Sequence, residues 1–120
     1  MGLENLKAKG IDTDAGLGFL GDEDMYREIL TDFRDGYVEQ MNDIKAKFEA
    51  KDWTNYCILV HALKSNCRTL GINDLADMAY EHEKASKEGS MNIDYVNGHV
   101  VELFNKANSI YAIVDAYLKG

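Results

Sequence analysis

Apolar residues recur at every third or fourth position through most of the chain, and nowhere do they alternate with period two. That spacing predicts amphipathic helices and no strands. From Met25 the series Tyr26, Ile29/Leu30, Phe33, Tyr37, Met41, Ile44 and Phe48 runs unbroken across Gly36, so one long helix and two with a bend at Gly36 are both open. It stops before Lys51-Asp52, where Asp52 offers an N-cap. Trp53, Tyr56, Leu59, Val60, Leu63, Cys67 and Leu70 then share one helical face, and Gly71 suits the left-handed position that closes it. Leu75, Met78, Ala79, His82 and Ala85 follow, in a helix that starts at Asn73 or Asp74 and is stopped by Gly89. Ser90 or Asn92 caps the last series, Ile93, Val96, Val100, Leu103/Phe104, Ala107, Ile110/Tyr111, Val114 and Tyr117/Leu118, in which Gly98 is a mild weakness.

Ahead of these lies less regular chain. Met1 and Gly2 read as a remnant of cloning, and Leu3 to Lys9 predicts a short helix ending at Gly10. Ile11 to Gly21 reads as a loop or broken helix that packs Leu17, Phe19 and Leu20 inward. Asp22 supplies an N-cap, with Glu23 and Asp24 favourable in the first turn. The links between the last four helices are short, which makes neighbours antiparallel. The expected fold is all-α: an antiparallel up-down-up-down four-helix bundle over residues 22–120, with a helix and loop of residues 1–21 packed on it, one domain in all.

Composition narrows the function classes. The chain has 120 residues, no proline and a formal charge of −8, from 13 basic and 21 acidic residues. An acidic surface argues against nucleic acid and against anionic membranes. No apolar run approaches the ~20 residues of a membrane span, and Leu3 to Gly10 is too polar for a signal peptide. Cys57 and Cys67 are about 15 Å apart along one helix and cannot pair. Free thiols fit a reducing, cytoplasmic setting.

Opposite the apolar face of the second series, Trp53 to Leu70, runs a stripe of Thr54, Cys57, Ile58, His61, Lys64, Ser65 and Arg68. His61 lies roughly 140° from the core direction at ~100° per residue. It is a wettable imidazole in a locally positive setting. Spacing alone gives it no role, because most solvent-facing histidines have none.

The residues around it add something. His61, Leu63, Lys64, the small Ser65 and Gly71 resemble the signature of histidine-containing phosphotransfer (HPt) domains. Phe19 to Arg27 is similar to the start of that family's first long helix, Lys51-Asp52-Trp53 to its turn before the histidine helix, and Leu75, Met78, Ala79 and Glu83 to the pattern of the following helix. The likeness covers about residues 15–118. Two positions depart from it: Ser65 stands where glycine is more usual, and His82 where leucine is. The sequence supplies no reason for an imidazole on that packing face.

The resemblance implies a bundle that takes a phosphoryl group from a receiver-domain aspartate and passes it to another. His61 is then the phospho-acceptor. Lys64 offsets phosphoryl charge, and since it should touch phosphate rather than core its removal should cost no stability. Arg68 meets a partner carboxylate or phosphate. Ser65 leaves room for the partner, or its hydroxyl bonds the imidazole. Ile58 and Cys57 belong to the same binding stripe, and Gly71 is structural. Asn66 is expected to be structural, His99 a surface residue, His82 a packing residue, and most tyrosines core.

No histidine has a glutamate three residues before it, His82-Glu83 lacks a second histidine at metalloprotease spacing, and no glycine-rich loop precedes a lysine with Ser/Thr. The expectation is a phosphocarrier with no ATP site, no autokinase activity and no cofactor of its own, Mg²⁺ residing on the partner. Partners would be receiver domains of response regulators or hybrid histidine kinases. The alternative is a phosphate-independent helical-bundle interaction domain using the stripe around Ile58. Such a domain has no need of His61, Lys64 and Gly71 together.

Overall fold

The computed structural model describes residues 3–120; Met1 and Gly2, read above as a cloning remnant, lie outside the described residues. The described residues form α1 (Leu3–Ala8), α2 (Thr13–Leu20), α3 (Glu23–Glu49), α4 (Trp53–Leu70), α5 (Asn73–Ser86) and α6 (Ile93–Lys119), and no strand.

Short polar side chains start four of them. Asp12 accepts from the Ala15 N–H at 3.1 Å, Asp22 from Met25 at 2.8 Å, Asp52 from Asn55 at 3.3 Å and Asn92 from Tyr95 at 3.1 Å. Each satisfies one amide that the first helical turn leaves without a partner. α5 starts at Asn73, as expected, but without a polar cap. Its N-cap is Ile72, which has no side-chain cap bond, and Asn73 and Asp74 are already helical. α5 also ends at Ser86, before Gly89.

α3 is one continuous helix, because Gly36 lies on its solvent side and a Cβ there would meet nothing within 4 Å. At 1.5 Å per residue, α3 and α6 should each be about 40 Å long, which accounts for the 41 Å long axis of the molecule. Tyr26, Leu30, Phe33, Tyr37, Met41 and Ile44 of α3 are buried with Val60, Leu63, Cys67 and Leu70 of α4, Leu75 and Ala79 of α5, and Val96, Leu103, Ala107 and Val114 of α6. α3 packs on α4, α4 on α5, α5 on α6, and α6 back on α3.

Of the loop or broken helix expected for Ile11 to Gly21, the structure has a helix over residues 13–20. This is α2, which rests on α3 and α4. Small size permits the contact: a Cβ on Gly16 would fall 2.2 Å from the Tyr26 ring. The Tyr26 hydroxyl in turn donates to the Leu70 carbonyl at 2.7 Å. Gly71 ends α4 at φ 79°, as expected. It also lies against Asp12, whose N–H donates to the Gly71 carbonyl at 2.8 Å and whose carbonyl oxygen would be 1.9 Å from any Cβ there.

The structure supplies a reason for His82. Its ring is buried in the α4–α5 contact, with Nδ1 2.9 Å from the Tyr56 hydroxyl, and it meets Tyr95 of α6 edge-on. A polar ring here satisfies a buried phenol that leucine would leave without that bond. His99 departs from expectation: it is half-buried, stacked on Tyr95 at 4.0 Å, with Nδ1 2.8 Å from the Tyr95 carbonyl.

Candidate functional site

α4 carries its apolar face inward through Tyr56, Val60, Leu63, Cys67 and Leu70, so its opposite stripe is left in solvent. Asp52 and Gly71 fix the two ends of the helix and thereby the rotation of that stripe. His61 lies mid-helix with its side chain 55% exposed.

The imidazole is held on one side only. Its Nδ1 is 3.0 Å from Glu83 Oε2, a carboxylate from α5. The other oxygen of Glu83 is cut off from solvent and faces the Lys64 ammonium at 2.7 Å. One carboxylate thus bridges the histidine and the lysine one turn beyond it. The side chains of Lys64 and Glu83 are each 14% exposed. Burial pushes the Glu83 carboxyl up, but hydrogen bonds from Lys64 and His61, and the charges behind them, outweigh it and hold it below the usual carboxylate range. Glu83 is therefore ionised near neutral pH and can only accept. The proton of a neutral imidazole then belongs on Nδ1, leaving the Nε2 lone pair free.

The remaining stripe residues fall around this centre. Ile58 is 60% exposed, one turn before His61. Cys57 is half-buried, its thiol donating to the Glu83 carbonyl at 3.5 Å. Ser65 is exposed, and its backbone carbonyl accepts from the Thr69 hydroxyl at 3.0 Å. The imidazole's partner is Glu83, so the alternative of a Ser65–imidazole bond is not realised. Arg68 lies 3.6 Å from Asp77. Asn66, expected to be structural, is exposed and borders the cleft between α3 and α4. Among the described residues, no group of three or more His, Cys, Asp or Glu is placed to hold a metal ion, and no helix is long and apolar enough to cross a membrane.

Two side chains of this neighbourhood escaped the sequence. Glu83 entered only as part of a helix pattern, since nothing in one helix's periodicity says which residue of the next helix faces it. Tyr80, which no sequence pattern singles out, is 40% exposed, and its ring lies under Lys64, Arg68 and Lys84.

An accessible imidazole on a helix, with a carboxylate at one ring nitrogen and a lysine one turn on, is thus the centre of the exposed α4 stripe of this all-helical protein. The chain matches the family model described as the Hpt domain over residues 28–106, a stretch that contains His61, Lys64, Gly71 and Glu83, and it belongs to that family. Hpt domains act in phosphotransfer within phosphorelay signalling, working with receiver domains. No curated protein and no solved structure gave a significant match.

Proposed function

We propose that His61 accepts a phosphoryl group from the aspartyl phosphate of one receiver domain and yields it to the aspartate of another. The observation that carries this reading is the bridge of Glu83 between His61 Nδ1 and Lys64. In the step, the Nε2 lone pair attacks phosphorus in line. The P–N bond forms as the P–O bond to the aspartyl carboxylate breaks, and that carboxylate leaves with the electron pair. Nδ1 keeps its proton against Glu83, which offsets the positive charge developing on the ring. Lys64 is near enough to turn toward the incoming oxygens. Ser65 leaves the ring approachable, while Ile58, Cys57 and Arg68 border the docking face.

The same reading takes the fold as an up-down-up-down four-helix bundle of residues 22–120 with residues 1–21 packed on it. The short connections and the ring of contacts among α3, α4, α5 and α6 support this. It takes the chain as a cytoplasmic phosphocarrier with no cofactor of its own, Mg²⁺ being on the receivers of response regulators or hybrid histidine kinases.

The test is incubation with a phosphorylated receiver domain. Base-stable, acid-labile phosphate should appear on this chain and be absent from His61→Gln, which keeps an amide donor that can serve Glu83 and should leave the fold intact. Label that survives His61→Gln but is lost with His82 or His99 substitutions would move the site. A receiver that binds without transfer would favour the phosphate-independent interaction domain.

A further inference from the structure

Three cations from two helices converge on one ring. Lys84 Nζ lies 4.7 Å from the Tyr80 ring centroid, Lys64 Nζ 5.1 Å and Arg68 Cζ 5.6 Å. Tyr80 is on α5, one turn before Glu83, and Lys64 and Arg68 reach it from α4. Like charges brought this close repel, so something must hold them. Part of the answer is a carboxylate for each: Glu83 at 2.7 Å from Lys64, Asp77 at 3.6 Å from Arg68 and Glu81 at 2.7 Å from Lys84. The carboxylates, however, sit at separate points. The ring is the one group that all three cations share, and its π face attracts each of them. No hydrogen bond involves the Tyr80 hydroxyl among the described residues, so Tyr80's share in the gathering falls to its ring.

Building on the acceptor reading above, we infer that Tyr80 is a positioning residue whose ring, rather than its hydroxyl, gathers Lys64, Arg68 and Lys84 beside His61 to draw in an anionic phosphoryl donor. Glu83 alone is a poor keeper of Lys64, because an ammonium that turns toward a phosphoryl group must leave that carboxylate. The ring face stays available through the exchange and keeps the lysine near.

Phosphoramidate tests this without a protein partner. Its phosphorus is attacked by His61 Nε2, the new P–N bond forms as the donor's P–N bond breaks, and ammonia leaves. Initial labelling rates, read by intact mass, should be compared for wild type, Tyr80→Phe, Tyr80→Leu and the His61→Gln control. At low ionic strength Tyr80→Phe should match wild type and Tyr80→Leu should be about two- to fivefold slower, the worth of an exposed cation–π contact. The gap should close as added salt screens the cluster. Tyr80→Gln repeats the reading should the leucine variant aggregate. In NMR, the ring current should shift the Lys64 ε-methylene protons upfield in wild type and Tyr80→Phe but not in Tyr80→Leu. A labelled wild type with Tyr80→Leu equally fast, or with Tyr80→Phe as slow as Tyr80→Leu, overturns this inference alone. So does a Lys64 shift common to all three. A wild type that takes no label overturns the acceptor reading and this inference with it.

Discussion

Tyr56 and His82 meet inside the α4–α5 contact with Oη and Nδ1 2.9 Å apart, both fully buried. Burial pushes the His82 imidazole down to about 4, against about 6.5 in an unfolded chain. Between those values the unfolded state binds more protons, so folding stability falls as pH drops from about 6.5 and the loss is complete below about 4. Its size should be about 3 kcal/mol. Urea midpoints between pH 7.5 and 4.5 should therefore fall more steeply for wild type than for His82→Leu, which lacks the titrating ring. Parallel curves would show that His82 protonates without strain.

Lys64→Ala should do two things at once. It should slow transfer by no more than a few kcal/mol of transition-state energy, the worth of one electrostatic contact. It should also destabilise the fold by about 1–3 kcal/mol, because Glu83 Oε1 is left sequestered without its cation. The sequence reading expects no cost to the fold; the lysine's contact across to α5 is what changes that. The stability due to Glu83, whose folded carboxyl is lowered, is present above the ordinary carboxylate range and is lost as pH falls through the lowered value. Thermal melts and initial transfer rates on the same samples measure both. An unchanged melting temperature would mean the Lys64–Glu83 contact contributes nothing to the fold.

Gly71→Ala should be among the most damaging single-methyl changes in the chain. The left-handed backbone costs about 1–2 kcal/mol by itself, and the added Cβ would lie 1.9 Å from the Asp12 carbonyl oxygen. α2 must move off the end of α4 to make room. Amide exchange should accelerate over residues 12–20 before it does in the rest of the protein. Wild-type stability in this variant would mean that the Asp12 contact yields freely.

Ser65 separates size from hydroxyl. Ser65→Gly and Ser65→Ala should transfer at close to the wild-type rate, the glycine costing the helix about 0.5 kcal/mol relative to serine. Ser65→Gln should block transfer with the helix intact, since a long side chain one turn away reaches over His61. Equal initial rates for Gly, Ala and Gln at equal folded concentration would remove Ser65 from the site.

Much of this molecule is legible along each helix taken singly. The inward residues of α3, α4 and α6 follow a period of three to four, and Asp22, Asp52 and Gly71 mark boundaries by local chemistry that needs no partner. What stays hidden depends on which faces meet. α2 is stable as a helix because Gly16 lets Tyr26 close against it, a contact between residues the chain separates. The start of α5 shows no polar cap, since Ile72 is held by its amide's bond to the Cys67 carbonyl at 2.8 Å instead. His61 was visible as the centre of a stripe. Its carboxylate partner is 22 positions away on another helix, and Tyr80 is exposed because three cations cover it in place of core.

α4 is pinned at both ends, by the Asp52 cap and by Gly71 beneath Asp12, and its 18 residues fit that span. The segment can therefore accept substitutions but not changes in length. One residue inserted between Asp52 and His61 turns everything beyond it by ~100° against the cap and lengthens the helix by ~1.5 Å. Either His61 rotates away from Glu83, or Gly71 slides out from under Asp12. A scan of single-residue insertions and deletions should accordingly find the span from Asp52 to Gly71 intolerant throughout, and the exposed turn of residues 87–91 permissive.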